Sequence, residues 1–323
     1  MTDENRGQKS PETIIFIFID GIGFGKKDIV YNPFTKYGRD FFSALGGKSS
    51  FSPPGHLIAT DAHMGLYSAA PQSGTGQTAL FTGHNTIDII HRHVAGFPPF
   101  SLRPYLKTDS LINKFIIHNL KASVINTYTH KFEELLKKPR SERFMSASTL
   151  MQLGSRQKFL NVNDLLQEES IFMDITNWFL RKELGYDVPE ISPVEAGRRI
   201  VKIARNYNLI IFEYFFPDKY GHEGTDNDVA FIVDHLESFL SGIWEEIDPE
   251  HELVVVGSDH GNFEDLSIPT HTHNPIPTII YGAGEALAEK SIREIYDIPR
   301  YIFRLKNISY SEPARISGNG THV

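Results

Sequence analysis

Four separated stretches of this 323-residue chain carry residue types that could act together on one reaction: Asp20, Asp218-Lys219-Tyr220-Gly221-His222, Ser258-Asp259-His260-Gly261-Asn262 and His271-Thr272-His273-Asn274-Pro275. Cysteine is absent, which leaves carboxylates and imidazoles as the strong metal ligands. Asp together with neutral His suits Zn²⁺ or Mn²⁺. Two such ions about 3.5–4 Å apart can hold the attacking and leaving oxygens of an in-line phosphoryl displacement. A serine hydroxyl becomes a competent nucleophile once a metal stabilises its alkoxide. Ser73 is the candidate, within Pro71-Gln72-Ser73-Gly74-Thr75-Gly76-Gln77-Thr78, a glycine-containing turn ahead of an apolar run. If that run opens as a helix, its free N–H groups favour phosphate. Each piece alone has an ordinary explanation. An Asp after a strand is mostly a turn former or helix cap, with metal binding about one case in five, and Ser-Gly-Thr-Gly can be a plain loop. All four stretches at strand ends, with a Ser-Gly turn between the first and second, is a combination chance rarely supplies.

The elements that must position these residues follow from the apolar pattern. Residues 13–20 (TIIFIFID) form a short continuous apolar run, expected to be a strand buried on both faces. Similar runs at 57–61, 122–128, 209–216, 253–257 and 278–281 predict further strands. Ser192-Pro193-Val194-Glu195 reads as a capping box with Pro at the first helical position, opening a helix to about residue 206. Residues 228–247 carry a helical apolar stripe from Ile232 to Trp244. Strands alternating with helices imply a three-layer α/β/α sandwich around a mainly parallel sheet. Ligands of such sheets collect outside the carboxyl ends of the strands, where the first three stretches fall. The expected organisation is one domain over 1–308, with a small lid or surface helices within 97–185, and a Ser/Gly/Asn-rich tail over 309–323.

Composition narrows the class further. A formal net charge of −8 argues against a nucleic-acid partner; it suits a chain rich in acidic ligands, and solubility explains it equally well. No apolar run reaches the roughly 20 residues that span a bilayer. The polar residues 1–12 lack the apolar core of a signal peptide. The expectation is a soluble cytoplasmic protein without a membrane partner; the residues leave the oligomeric state open.

The motifs FIFIDGIG, PQSGTGQTALFTG, DKYGHEG, SDHGNFED and HTHNPIP resemble the metalloenzyme core of cofactor-independent phosphoglycerate mutases and phosphopentomutases, within the alkaline phosphatase superfamily. The resemblance spans roughly residues 13–96 and 190–300. It implies that Asp20, Ser73, Asp259 and His260 surround one divalent metal, and that Asp218, His222 and His271 hold a second. His273 is then a group behind the ligands, a substrate-side group or a surface residue. Thr75, Gln77, His91 and His93 are the other substrate-side candidates, each with a surface or structural alternative. Two features set the chain apart from that family pattern. It has no room after Ser73 for the large inserted domain of the phosphoglycerate mutases. Glu213 also precedes Asp218 at a spacing similar to that of the extra magnesium ligand of alkaline phosphatases; a buried Glu bonded to its neighbours is the alternative.

The expected function is a metal-dependent phosphomonoester hydrolase that passes through phospho-Ser73 on a small phosphorylated metabolite. The alternative is a phosphomutase of the phosphoglycerate or phosphopentose type. A mutase needs a cap that excludes water while its substrate reorients; Arg140, Arg143 and Arg156 could furnish one, or form a solvated basic loop. A nucleotide-binding reading of Gly21-Ile22-Gly23-Phe24-Gly25-Lys26 fails, because Lys27 follows where Ser or Thr is required. A sulfatase would call for a cysteine-derived nucleophile.

Overall fold

The computed structural model describes residues 10–48 and 50–311. The N-terminal residues 1–9 and most of the expected tail, from 312 onward, lie outside the described residues. Six strands, β1 (Thr13–Ile19), β2 (His56–Thr60), β3 (Ala122–Val124), β4 (Leu209–Tyr214), β5 (Glu252–Gly257) and β6 (Ile276–Gly282), form one sheet in the order β2-β6-β5-β1-β4-β3. β1, β3, β4 and β5 pair in parallel; β6 is antiparallel to both of its neighbours, β5 and β2. The sheet is therefore mainly parallel, as expected.

The continuous apolar runs are explained by helices on both faces. Ile14, Phe16 and Phe18 of β1 join one buried cluster; Ile15, Ile17 and Ile19 join the other. On the first face the helix Ser73–Thr82 packs Ala79, Leu80 and Phe81 against the sheet. On the second lie the helices Pro193–Ala204 and Asp226–Glu246, through Ala196, Ile200, Val233, Leu236 and Leu240. Ser192 caps its helix by accepting the Glu195 N–H at 3.2 Å. Among the described residues, no helix is long and apolar enough to cross a membrane.

The segment 97–185 is woven into this body. β3 extends the sheet at its edge, and Leu106, Leu111, Ile112, Phe115, Ala147, Leu150 and Met151 are fully buried in the first cluster. Only three residues of the expected 122–128 strand form β3; beyond Val124 the pairing continues as single bridges at Asn126 and Tyr128. Leu165, Phe172, Leu180 and Val188 close a small core of their own.

A buried carboxylate fastens the loop after β1. Glu237, 2% exposed on the helix Asp226–Glu246, accepts the backbone N–H groups of Arg39, Asp40, Phe41 and Phe42 at 2.8–3.1 Å. That loop in turn carries Phe34 and Phe42, stacked at 5.4 Å, with Phe34 edge-on to Phe263 at 5.6 Å. Glu237→Ala would leave four amides without an acceptor. It should lower the unfolding free energy by at least about 2 kcal/mol, read from urea denaturation of metal-loaded protein; a loss below about 0.5 kcal/mol, the range of ordinary surface changes, would contradict this account.

Candidate metal centre

Three central strands deliver the acidic groups to one edge. Asp20 directly follows β1, and Asp259 lies just past β5, whose Gly257 pairs with Phe18 of β1. Asp218 sits on the helix Phe216–Glu223, which follows β4, where Tyr214 pairs with Ile19. His271 precedes a strand, yet it reaches the same edge because β6 runs antiparallel to β5. Ser73 is the first residue of its helix, which thus begins ahead of the apolar run Ala79–Phe81 and includes the glycine-containing turn. Two glycines permit the approach. Gly21 adopts φ +75°, and a Cβ there would lie 2.7 Å from Asp218 Cβ; a Cβ on Gly76 would lie 2.7 Å from the Asp259 carbonyl oxygen.

The assembled geometry centres on His260, which is fully buried. Its Nε2 is 2.9 Å from Ser73 Oγ and 3.4 Å from both Asp20 Oδ1 and Asp259 Oδ2. Donor atoms of Asp20, Asp259 and His260 lie within 4.8 Å of one another, and so do those of Asp218, His260 and His271. The His260 and His271 rings stack at 3.6 Å, so the two groups share a wall. His222 joins through Asp218, with Nε2 3.5 Å from Asp218 Oδ1, and is the most solvent-exposed of the expected ligands. Its Nδ1 is 3.2 Å from the Pro269 carbonyl oxygen.

The electrostatics suit a cation. Asp20 and Asp259 are 7% and 0% exposed, and among the described residues no Lys or Arg forms an ion pair with either, or with Asp218. Asp20 Oδ1 is buried without a hydrogen-bond partner. Burial, then the charges of Asp259 and Asp218, push the Asp20 carboxyl well above its usual range. Burial drives His260 down, toward the neutral form that ligates metals. Burial would also raise Asp218, but its bond to His271, the His260 ring and the Asn262 amide outweigh it and hold that carboxyl well below the ordinary range. A buried cluster of carboxylates and imidazoles with an unpartnered oxygen fits divalent ions.

Neighbouring groups hold the ligand types in place. The Gln77 amide donates to Asp20 Oδ2 and to Asp259 Oδ2, both at 3.1 Å. Gln77, expected on the substrate side, thus has its amide engaged by the two carboxylates. Asn262 Nδ2 donates to Asp218 Oδ1 at 2.8 Å. His271 donates its Nδ1–H to the Pro71 carbonyl at 3.1 Å, which turns Nε2 to the site, 3.4 Å from Asp218 Oδ1. Glu264, 1% exposed, accepts from the Asn262 N–H at 2.9 Å, the Thr272 hydroxyl at 2.5 Å and the Asn274 amide at 3.1 Å. It clamps the loop after β5 to the loop before β6. Sequence reasoning passed over Glu264, because a Glu two residues beyond Asn262 carries no pattern of its own.

The other expected substrate-side groups are placed unequally. The Thr75 hydroxyl donates to the Gln72 carbonyl at 3.0 Å and lies 3.4 Å from His93 Nδ1. His93 is half-buried, its Nε2 without a hydrogen-bond partner. His91 is exposed at the end of the short helix Thr86–Ile90. His273 is exposed, with Nδ1 3.0 Å from Nε2 of His63. Glu213, opposite Phe18 in the sheet, accepts from the Ser148 hydroxyl and, at 3.5 Å, from that of Ser146, beside a cleft of about 290 Å³ that includes Tyr128 and Thr149. Burial pushes its carboxyl up to about 7. Arg140, Arg143 and Arg156 are all exposed.

The sequence profile of the Metalloenzyme superfamily matches residues 12–297. The chain belongs to that superfamily. It is therefore an enzyme, and the membership implies a divalent metal cofactor. Among curated relatives, a 2,3-bisphosphoglycerate-independent phosphoglycerate mutase from Nitrosococcus oceani is 28% identical over 129 residues, 36% of this chain and 25% of that one. The enzyme of the same description from Desulforudis audaxviator is 32% identical over 115 residues, 33% and 22% respectively. That from Ehrlichia ruminantium is 26% identical over 212 residues, 62% and 39%. The matches thus span two fifths or less of those relatives' length. Alkaline phosphatase from the Antarctic bacterium TAB5 overlays 94% of this chain and 100% of its own at TM-score 0.50 and 15% identity, a likeness of fold. The expected alkaline phosphatase-like fold, with a core resembling that of the cofactor-independent mutases, stands.

Two outcomes test the centre. Glu264→Ala should weaken divalent-metal binding by about 10- to 100-fold in a chelator competition while the chain remains folded, and unchanged affinity would rule out the clamp. Glu213 bears on the metal-free chain. With its folded value near 7 against the ordinary 4.5, the folded state keeps a proton that the unfolded state has released between those limits. Its contribution to stability must therefore fall as pH rises through that interval. The difference in melting temperature between wild type and Glu213→Gln in chelator should move in Gln's favour from the lower to the higher pH; a flat difference would refute it.

Proposed function

We propose that this protein is a phosphomonoester hydrolase that works through phospho-Ser73 and two divalent ions, Zn²⁺ or Mn²⁺. The observation that carries the reading is Ser73 itself: a hydroxyl at the first position of a helix, 2.9 Å from Nε2 of His260, the ring that two clusters of ligand-type residues share. Asp20, Ser73, Asp259 and His260 would hold one ion; Asp218, His222 and His271 would hold the other. Bound there, the ions supply Lewis acidity to the phosphoryl group and lower the cost of ionising the serine hydroxyl.

The chain's own groups account for the rest. Gln72 provides no side-chain cap to the helix Ser73–Thr82 and its carbonyl takes the Thr75 N–H at 3.2 Å, so the amides of Ser73 and Gly74 would be the ones to meet phosphoryl oxygens. Ser73 Oγ forms the new bond to phosphorus as the bond to the leaving alcohol breaks. Water then cleaves phospho-Ser73, releasing inorganic phosphate and restoring the hydroxyl. Hydrolysis is favoured over transfer because residues 97–160 contribute an edge strand and buried helices, which binds them into the body of the fold. The mutase reading rests on the names of the curated relatives, which align over only part of their length.

With metal-loaded protein, Ser73→Ala should lose about a thousand-fold or more in kcat, and acid-quenched wild type should carry phosphate on the Ser73 peptide. Phosphorus NMR separates the outcomes: inorganic phosphate should accumulate from 3-phosphoglycerate or a pentose 1-phosphate. A new phosphate ester growing without inorganic phosphate would replace hydrolase with mutase, and phosphate on Thr75 or Thr78 would displace Ser73 as nucleophile.

A further inference from the structure

The helix Phe216–Glu223 has two working faces. Asp218 and His222, four residues apart, share the face toward the metal centre, where Asn262 and His271 meet Asp218. Phe216 and Tyr220, also four apart, stand about 200° around the helix axis from that pair. They line a separate pocket of about 280 Å³, together with Trp178 of the short helix Trp178–Lys182 and Phe231 of the helix Asp226–Glu246. Neither Asp218 nor His222 borders it. Ligand pockets run from roughly 300 to 1,000 Å³, so this one suits a small molecule.

Its aromatic wall is built and held. Phe216 and Tyr220 meet edge to face at 5.5 Å, while Trp178 and Phe231 keep 40% and 43% of their surface exposed at the rim. Two large half-exposed rings on one pocket make an apolar patch of the kind that marks binding sites. The segment that delivers Trp178 is locked in a costly shape. Ile175, fully buried, has φ 72°, and Asn177 has φ 67°; a β-branched side chain seldom enters that region. Asp174 accepts the backbone N–H groups of Asn177 and Phe179, and the Asn177 amide donates to the Pro189 carbonyl at 2.9 Å. The Thr176 carbonyl accepts the Ile191 N–H at 3.1 Å. Backbone strain that its surroundings enforce gathers at ligand clamps, and here it fixes an indole ring.

The charge around the pocket has one sign. Asp174, 4% exposed, and Asp228 are the charged residues of its lining, and no basic group acts on either among the described residues. The charges of Glu190 and Glu183 add to the same field at Asp174 and Tyr220. Tyr220 already takes one cation, Lys219 Nζ, at 5.2 Å from its ring centroid, and Lys219 lies outside the lining. Aromatic faces are electron-rich and attract a cation most strongly once it has shed water. Rings for methyl groups and carboxylates for charge together describe an alkylated ammonium ion.

We propose that this pocket binds a small organic cation of the quaternary ammonium type, its methyl groups on the rings of Trp178, Phe216, Tyr220 and Phe231 and its charge toward Asp174 and Asp228. The site lies behind the metal-bearing helix, apart from Ser73, and does not depend on the hydrolase reading.

The test titrates metal-loaded protein with choline and with its neutral isostere 3,3-dimethylbutanol, at constant ionic strength, by calorimetry and by indole emission. Choline should bind saturably, and the neutral alcohol about 10-fold more weakly or worse. The two tryptophans are Trp178 and Trp244, and Trp244 stacks on Tyr281 far from this lining. Trp178→Phe should therefore abolish most of the emission change while calorimetry still reports choline binding. Phe231→Ala, at a half-exposed position, and Asp228→Asn should each weaken choline by about 5-fold or more, with the far-ultraviolet dichroism of a folded chain. Saturating inorganic phosphate should leave choline affinity unchanged. Equal affinity for choline and the neutral alcohol, displacement of choline by phosphate, an emission change that survives Trp178→Phe, or no saturable binding would each overturn the proposal and leave the hydrolase reading untouched.

Discussion

Burial and the neighbouring Asp259 charge disfavour an ionised Asp20 at the end of the sheet, and a cation beside the two carboxylates would reverse that. They extend from neighbouring parallel strands, are almost wholly buried, and share one Gln77 amide. Two unit charges about 4 Å apart repel by about 4 kcal/mol at the effective dielectric of a partly screened site. Asp218 and Glu213 act on Asp20 in the same sense. Among the described residues no Lys or Arg pairs with them, so ionising both calls for a bound cation, and without one a proton on Asp20 relieves the repulsion. Metal binding and folding are thereby one linked equilibrium, in which the free energy of binding is also stability.

That constraint explains where the fold is rigid. The ligand types stand at the ends of the three central strands, whose side chains are buried on both faces, while the cross-links between them are short polar groups with defined partners. Gln77, Asn262 and Glu264 each bind two separate parts of the site. His260 meets Ser73 and Asp20 through Nε2 and stacks on His271. Because one ring borders both clusters, a metal held by one would fix a wall of the other, and loading of the two would be coupled rather than independent.

Much of this was legible in the residues. The double-sided apolar run of β1, the capped helix at Ser192 and the strand-end Asp and His stretches all fell where period and turn chemistry put them. The helix that starts at Ser73 was readable only as a condition, since Gly74 and Gly76 weaken any local preference for helix; packing against Asp259 decides it. The arrival of His271 at the common edge depends on the antiparallel direction of β6, which hydropathy does not encode. Gln77 and Glu264 are set by contacts across the sheet edge, from residues roughly 180 positions apart in the case of Gln77 and Asp259, and no spacing rule reaches that far.

The loop from His271 to Pro275 joins these levels. Within three consecutive residues it offers an imidazole of the candidate metal centre, a threonine clamped by Glu264 and an imidazole 3.0 Å from His63. Thr272 is the pivot: buried, paired through its backbone with Gly261, and held through its hydroxyl. Side chains on either side of a pinned residue in extended pairing point to opposite faces from it and to a common face with each other; His271 reaches the Pro71 carbonyl and His273 reaches His63. The two imidazoles thus share one backbone anchor, and a change that loosens Thr272 would displace both.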